Sequence, residues 1–139
     1  MQNNISVEEL EENLSFLEDW EERYKYILDL GQNLTPFPEE KQNDTYRVKG
    51  CVSQVWLDYE KNNDRLIFSG SSDSHLVRGL IALLFIAYSG KTAPEIQNVD
   101  FKSFFTKLGL SEHLTPQRSN GLFSMVGRIQ DIAAAVESE

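Results

Sequence analysis

The chain has 139 residues, 40% of them apolar, which suffices for one ordinary hydrophobic core and predicts a single domain over residues 1–139. Its net charge of -9 is unevenly spread: eight carboxylates between Glu8 and Glu22 precede the first basic residue, Arg23, and removing them leaves about -1 for the rest. No basic stripe remains to neutralise nucleic-acid phosphates, and the longest purely apolar run, Leu80 to Ala87, is far too short to span a bilayer, so neither nucleic acid nor membrane is expected as a partner.

The opening MQNNISVEELEE carries neither a basic region nor an apolar stretch, so no secretory signal is expected. Ser6, followed by Val7, Leu10, Leu14 and Leu17, predicts an N-capped helix, and Glu9 completes a capping box. A second apolar set, Phe16, Trp20, Tyr24, Ile27 and Leu28, runs on to Gly31 as a predicted C-cap, with a phase shift near Ser15 that suggests two helices. NLTPFPEEKQNDT is a loop by its two prolines and its polarity. TYRVKG, SQVWLDYE and RLIFSG are rich in β-branched and aromatic residues and predict an antiparallel meander, turning at Asn62 and Asn63.

SDSHLVRGLIALLFIAYSG predicts a helix capped by Asp73 or Ser74 at one end and Gly90 at the other, buried on nearly every side of its second half. TAPEIQN and DFKSFFTKLGL predict two short helices. The last helix opens with Thr115 as N-cap and Pro116 at its first position. The order of helices, a small antiparallel sheet, then helices predicts the α+β class, with helices on one face of a three-stranded sheet.

Cys51 is the only cysteine, so the chain by itself can form neither an internal disulfide nor a multi-thiolate metal site, and a reducing, cytoplasmic compartment is expected. Free cysteine often serves as a small buried hydrophobe. The glycine before it and polar Ser53 and Gln54 after it argue instead for a loop or bulge, where a thiol can meet another macromolecule. Arg47, Lys49, His75 or Arg118 would lower its pKa if the fold brings them near. A thiol-dependent enzyme would need a base, and His75 and His113 are the only histidines, neither within a local signature of such a pair. An interaction module in which Cys51 only packs is the third reading. No P-loop, GxGxxG or HExxH occurs. Arg118, three residues after the Thr115 cap, is a cation where the helix dipole disfavours one; it reads equally as a simple surface arginine or as one that pairs with a partner's carboxylate.

VKGCVSQVW, SGSSDSHLVRGLIALLF and HLTPQRSNGLFSM together resemble the SufE family of sulfur acceptor proteins, which includes the related CsdE, and the resemblance runs from WEERYKYILDLGQNL to the last helix. It implies an α+β fold shared with IscU-type scaffolds and a non-enzymatic role without a bound cofactor. In such proteins the cysteine of this segment accepts sulfane sulfur from a PLP-dependent cysteine desulfurase (SufS- or CsdA-like), stimulates its turnover, and passes sulfur to a SufB-like iron-sulfur scaffold. Cys51 occupies that position, and the resemblance assigns partner contacts to Gly50, Ser53, Gln54, Asp73 and Arg118. It also implies a monomer or weak homodimer, and a thiol sheltered until docking. Val52, where a polar residue is common, and Ser71, where an acidic one can occur, depart from the pattern.

Overall fold

The computed structural model describes residues 5–139, so the expectation about the amino-terminal leader falls partly on residues outside it. Helix α1 (Val7–Ser15) begins at the Ser6–Glu9 capping box, and α2 (Trp20–Gln32) begins where the Asp19 carboxylate accepts from the Glu22 amide. The phase shift near Ser15 thus marks a break between two helices. Gly31 is no cap: the helix ends at Asn33, and Gly31 lies inside the last turn facing α3. A Cβ on it would come within 2.6 Å of the Gly79 amide nitrogen, so its missing side chain serves helix packing rather than termination.

A single 3-10 turn (Glu39–Lys41) interrupts the proline-containing loop, which Lys41 Nζ ties to Asp58 Oδ2 at 2.7 Å. Strands β1 (Val55–Asn62) and β2 (Arg65–Ser72) form an antiparallel hairpin in register from Val55 opposite Ser72 to Asn62 opposite Arg65. Asn63 turns it with a left-handed φ of 59°. The expected first strand, TYRVKG, does not form. Only Arg47 bridges to Trp56, because the segment is squeezed between a turn at Asn43, whose side chain accepts from the Thr45 amide, and the left-handed Gly50. The third strand is instead β3 (Lys91–Thr92), which pairs with the start of β2 and gives the order β1-β2-β3. The sheet is three-stranded and antiparallel as expected, with one member drawn from elsewhere in the chain.

Helix α3 (His75–Tyr88) is capped by Ser74, whose hydroxyl accepts from the Val77 amide, and ends at Ser89, one residue before the predicted Gly90. From Leu80 to Tyr88 every side chain but Ile86 is buried, as the unbroken apolar run requires. Helix α4 (Ala93–Gln97) packs on the last helix, and α5 (Phe101–Lys107), followed by the single turn α6 (Leu110–His113), meets the end of α3, where Phe101 is ringed by Tyr88, Phe104, Phe105 and Phe123. Helix α7 (Pro116–Glu137) closes the structure, with Thr115 Oγ1 accepting from the Arg118 amide. Alternate residues of β2, Leu66, Phe68 and Gly70, are buried in the core that the helices build. No helix among the described residues is long and apolar enough to cross a membrane.

Candidate functional site

Cys51 lies in the turn between the Arg47 bridge and β1, and two features of the chain hold it there. The first is Gly50, whose φ of 92° is closed to most side chains; a Cβ on it would also approach Ser124 Oγ to 2.6 Å. The second is Asp73, just before α3. Its carboxylate accepts from the Gln54 amide at 3.1 Å and its own amide donates to the Gln54 carbonyl at 3.3 Å, which fastens the downstream end of the turn to the start of the central helix. Ser74 rather than Asp73 is therefore the N-cap, and Asp73 clamps the loop.

Residues Arg118, Gly121, Leu122 and Met125 recur at helical spacing, so α7 turns one face toward the thiol. Cys51 Sγ–H donates to the Gly121 carbonyl at 3.4 Å, a weak bond made by a neutral thiol. A Cβ on Gly121 would sit 3.6 Å from the sulfur, in ordinary contact. Beside this bond is a small cavity of about 100 Å³, with Val55, Val77, Leu80, Leu122 and Met125 as apolar wall and Ser53, Gln117 and Arg118 at its polar side. Cys51 also borders an open groove of about 400 Å³, lined further by Asp44, Arg47, Val48, Lys49 and Gly50. Val52, next in the chain, is 77% exposed at the tip.

The sulfur is half-buried, and that desolvation pushes its pKa above the ordinary thiol value while the Arg47 charge pulls the other way. Burial wins, so the resting group is a protonated thiol near neutral pH. Of the four cations considered from sequence, Arg47 acts on the thiol, Lys49 and Arg118 line its two surroundings, and His75 does neither. His113 stacks on Trp20 with ring centroids 4.4 Å apart, and neither histidine lines the cavity or the groove. Among the described residues no group of three or more His, Cys, Asp or Glu is placed to hold a metal ion.

Cys51, Ser53 and Arg118 thus share one cavity, Gly50 shapes the turn, and Gln54 and Asp73 bind each other at its base. Sequence reasoning missed Gly121. The signal was available: glycine inside a helix costs about 1 kcal/mol relative to alanine, so one in the amphipathic stretch SNGLFSM asks for a close approach.

A family model described as SufE, Fe-S metabolism associated domain, matches residues 8–133. An uncharacterized SufE-like protein of Rhizobium meliloti (strain 1021) is 44% identical over 132 residues, covering 92% of this chain and 94% of its own. Another, from Rhizobium etli, is 46% identical over 132 residues, covering 92% and 89%. The solution structure of a hypothetical protein from Thermus thermophilus superposes with a TM-score of 0.78 over 96% of both chains at 19% identity, which bears on the fold alone. With the half-buried cysteine of GCVSQVW set between sheet and helix, the motifs and the matches agree: the chain belongs to the SufE family, a family associated with iron-sulfur metabolism.

Proposed function

We propose that the protein is a cytoplasmic sulfur acceptor and carrier: Cys51 takes sulfane sulfur from a PLP-dependent cysteine desulfurase, relieves that enzyme of its product, and delivers the sulfur for iron-sulfur cluster assembly. The observation that carries this reading is a lone thiol, half-buried beside a cavity with room for another sulfur atom, on a turn pinned at both ends. The Cys51 thiolate attacks the outer sulfur of the donor's persulfide. One S–S bond forms on Cys51, the donor's S–S bond breaks, and the departing donor thiolate takes up the proton Cys51 gave away, so no oxidant or reductant enters. The PLP chemistry belongs to the desulfurase, and this chain acts as co-substrate rather than enzyme.

Gly50, Ser53, Gln54, Asp73 and Arg118 are the groups we assign to docking. Arg118 and Ser53 meet the partner at the cavity mouth, while Gln54 and Asp73 keep the turn in register with α3. The raised pKa of the thiol supports a protected resting state, since a protonated, half-buried sulfur reacts slowly with stray oxidants. The test is to incubate the protein with a cysteine desulfurase and L-cysteine and weigh it intact. A gain of one sulfur atom, removed by reductant and absent in Cys51→Ser, is expected together with faster desulfurase turnover. No gain with several desulfurases would overturn the reading.

A further inference from the structure

Cys51 stands between two unlike surroundings. On the cavity side the sulfur's own hydrogen-bond partner is the Gly121 carbonyl and the wall is mostly apolar, with Arg118 as its one charged group. A carbonyl accepts from a thiol but repels a thiolate, and the apolar wall penalises the charge further. On the groove side, space is open to water and two cations, Arg47 and Lys49, outnumber the one carboxylate, Asp44. An anion on this sulfur therefore belongs on the groove side.

The groups that face the sulfur can be taken element by element. β1 contributes Val55, and α3 contributes Val77 and Leu80, all uncharged; α7 contributes Arg118 across the cavity; the chain before the turn contributes Asp44, Arg47 and Lys49. Arg47 differs from Lys49 in how it is held. Its backbone pairs with Trp56, and the flanking bonds, Leu57 N–H to the Tyr46 carbonyl at 2.9 Å and Val48 N–H to the Val55 carbonyl at 2.8 Å, lash it to the sheet. Its guanidinium also forms no salt bridge with a carboxylate among the described residues, so its charge is not already spent.

We infer that Arg47 is the positioning cation for the Cys51 anion, drawing the thiolate, and after transfer the persulfide, out of the Gly121 contact and toward the open groove. The thiolate half of this inference stands on the groove that Arg47 and Cys51 share and does not need the sulfur-acceptor reading, whereas the persulfide half rests on that reading. Even in the resting thiol the Arg47 charge already opposes the effect of burial.

The experiment uses alkylation of Cys51 in the full chain, followed from neutral to alkaline pH with two reagents of similar size, neutral iodoacetamide and anionic iodoacetate. In each case the thiolate sulfur displaces iodide, so no partner protein is needed. Arg47→Ala should move the reactivity midpoint to higher pH and lower the iodoacetate-to-iodoacetamide rate ratio roughly threefold, because a cation beside the sulfur favours both the thiolate and the anionic reagent. Arg47→Lys should keep most of both, and Lys49→Ala should change them less than Arg47→Ala. If Arg47→Ala leaves midpoint and ratio as in the wild type, slows both reagents equally, or is matched by Lys49→Ala, the assignment is overturned. Intact mass after sulfur loading then separates the two readings. A wild type that gains no sulfur sinks the acceptor reading while the alkylation result stands, and an Arg47→Ala protein that loads sulfur as fast as wild type removes Arg47 from the persulfide step.

Discussion

Two seams in this molecule depend on glycine, and they are built to opposite tolerances. Where α2 crosses α3, Gly31 and Gly79 let two backbones touch: a Cβ on Gly79 would lie 2.6 Å from Ile27 Cγ2 and closer still to the Ile27 carbonyl oxygen. Where the Cys51 turn meets α7, a Cβ on Gly121 would find nothing nearer than 3.6 Å. The first seam closes backbone on backbone and carries stability, whereas the second is tight only where Gly50 meets the Ser124 side chain and keeps ordinary contact distance at Gly121, beside the cavity.

The sharpest way to break the comparison is Gly79→Ala. The clash is with the backbone of the neighbouring helix, which cannot retreat without parting the helices, so overpacking should cost about 2 to 3 kcal/mol against the ~1 kcal/mol that alanine gains in a helix. A net fall in Tm of roughly 5 °C, read by thermal unfolding, is expected. The Cys51 alkylation rate of the folded variant should stay at the wild-type value, because Gly79 faces Ile27 of α2 while Val77 and Leu80 of the same helix face the cavity. A variant that loses thiol protection along with stability would show that the two seams are one cooperative unit.

A second contrast lies between the two acids that burial perturbs. Tyr88 is fully buried at the end of α3, its hydroxyl has no hydrogen-bond partner among the described residues, and desolvation pushes its pKa up to about 12. Cys51 is only half-buried and has Arg47 to oppose the shift. For Tyr88 the folded state keeps its proton longer than the unfolded state, whose tyrosine ionises near pH 10. Stability should therefore be complete below pH 10, fall by roughly 2 kcal/mol as pH rises to 12, and level off beyond. Tyr88→Phe should remove that Tyr88 contribution to the alkaline loss and, by deleting an unpaired hydroxyl, leave neutral stability equal or higher by up to about 1 kcal/mol. Denaturant midpoints at neutral and alkaline pH check both statements.

How much of this was legible in the sequence follows from which interactions are local. Caps such as Ser6 with Glu9, Ser74, and Thr115 with Pro116 act within one turn, and the apolar run of α3 states its own burial, so these elements were readable. TYRVKG was misread because its composition suits a strand, while the limits that stop it, the Asn43 turn and the positive φ of Gly50, leave room for only one bridge. Lys91–Thr92 is too short to show a strand pattern and pairs because the end of α3 delivers it to the edge of β2. For the site, the sequence marked Cys51 and its loop, but not Gly121. Nor did it show that Asp73 is spent on the Gln54 backbone, because both facts depend on contacts across 70 and 19 residues.

Gly121→Ala is the smallest perturbation and the one that most sharpens the contrast between the seams. Alanine is favoured over glycine inside a helix by up to about 1 kcal/mol, and here no close contact opposes it, so stability should rise by a few tenths to about 1 kcal/mol. The new methyl would nevertheless rest against Cys51 Sγ, Cα and Cβ and take up space in the lining of the cavity beside the thiol. Alkylation by a bulky maleimide should slow by roughly twofold to fivefold while a small reagent is less affected, since access rather than thiolate fraction has changed. A protein that is more stable yet slower at its sulfur would mean that Gly121 is kept for the space it leaves. If Gly121→Ala instead destabilises as Gly79→Ala does, the turn packs on α7 at Gly121 as tightly as α2 packs on α3, and the room beside Cys51 on which the proposed sulfur loading relies is absent.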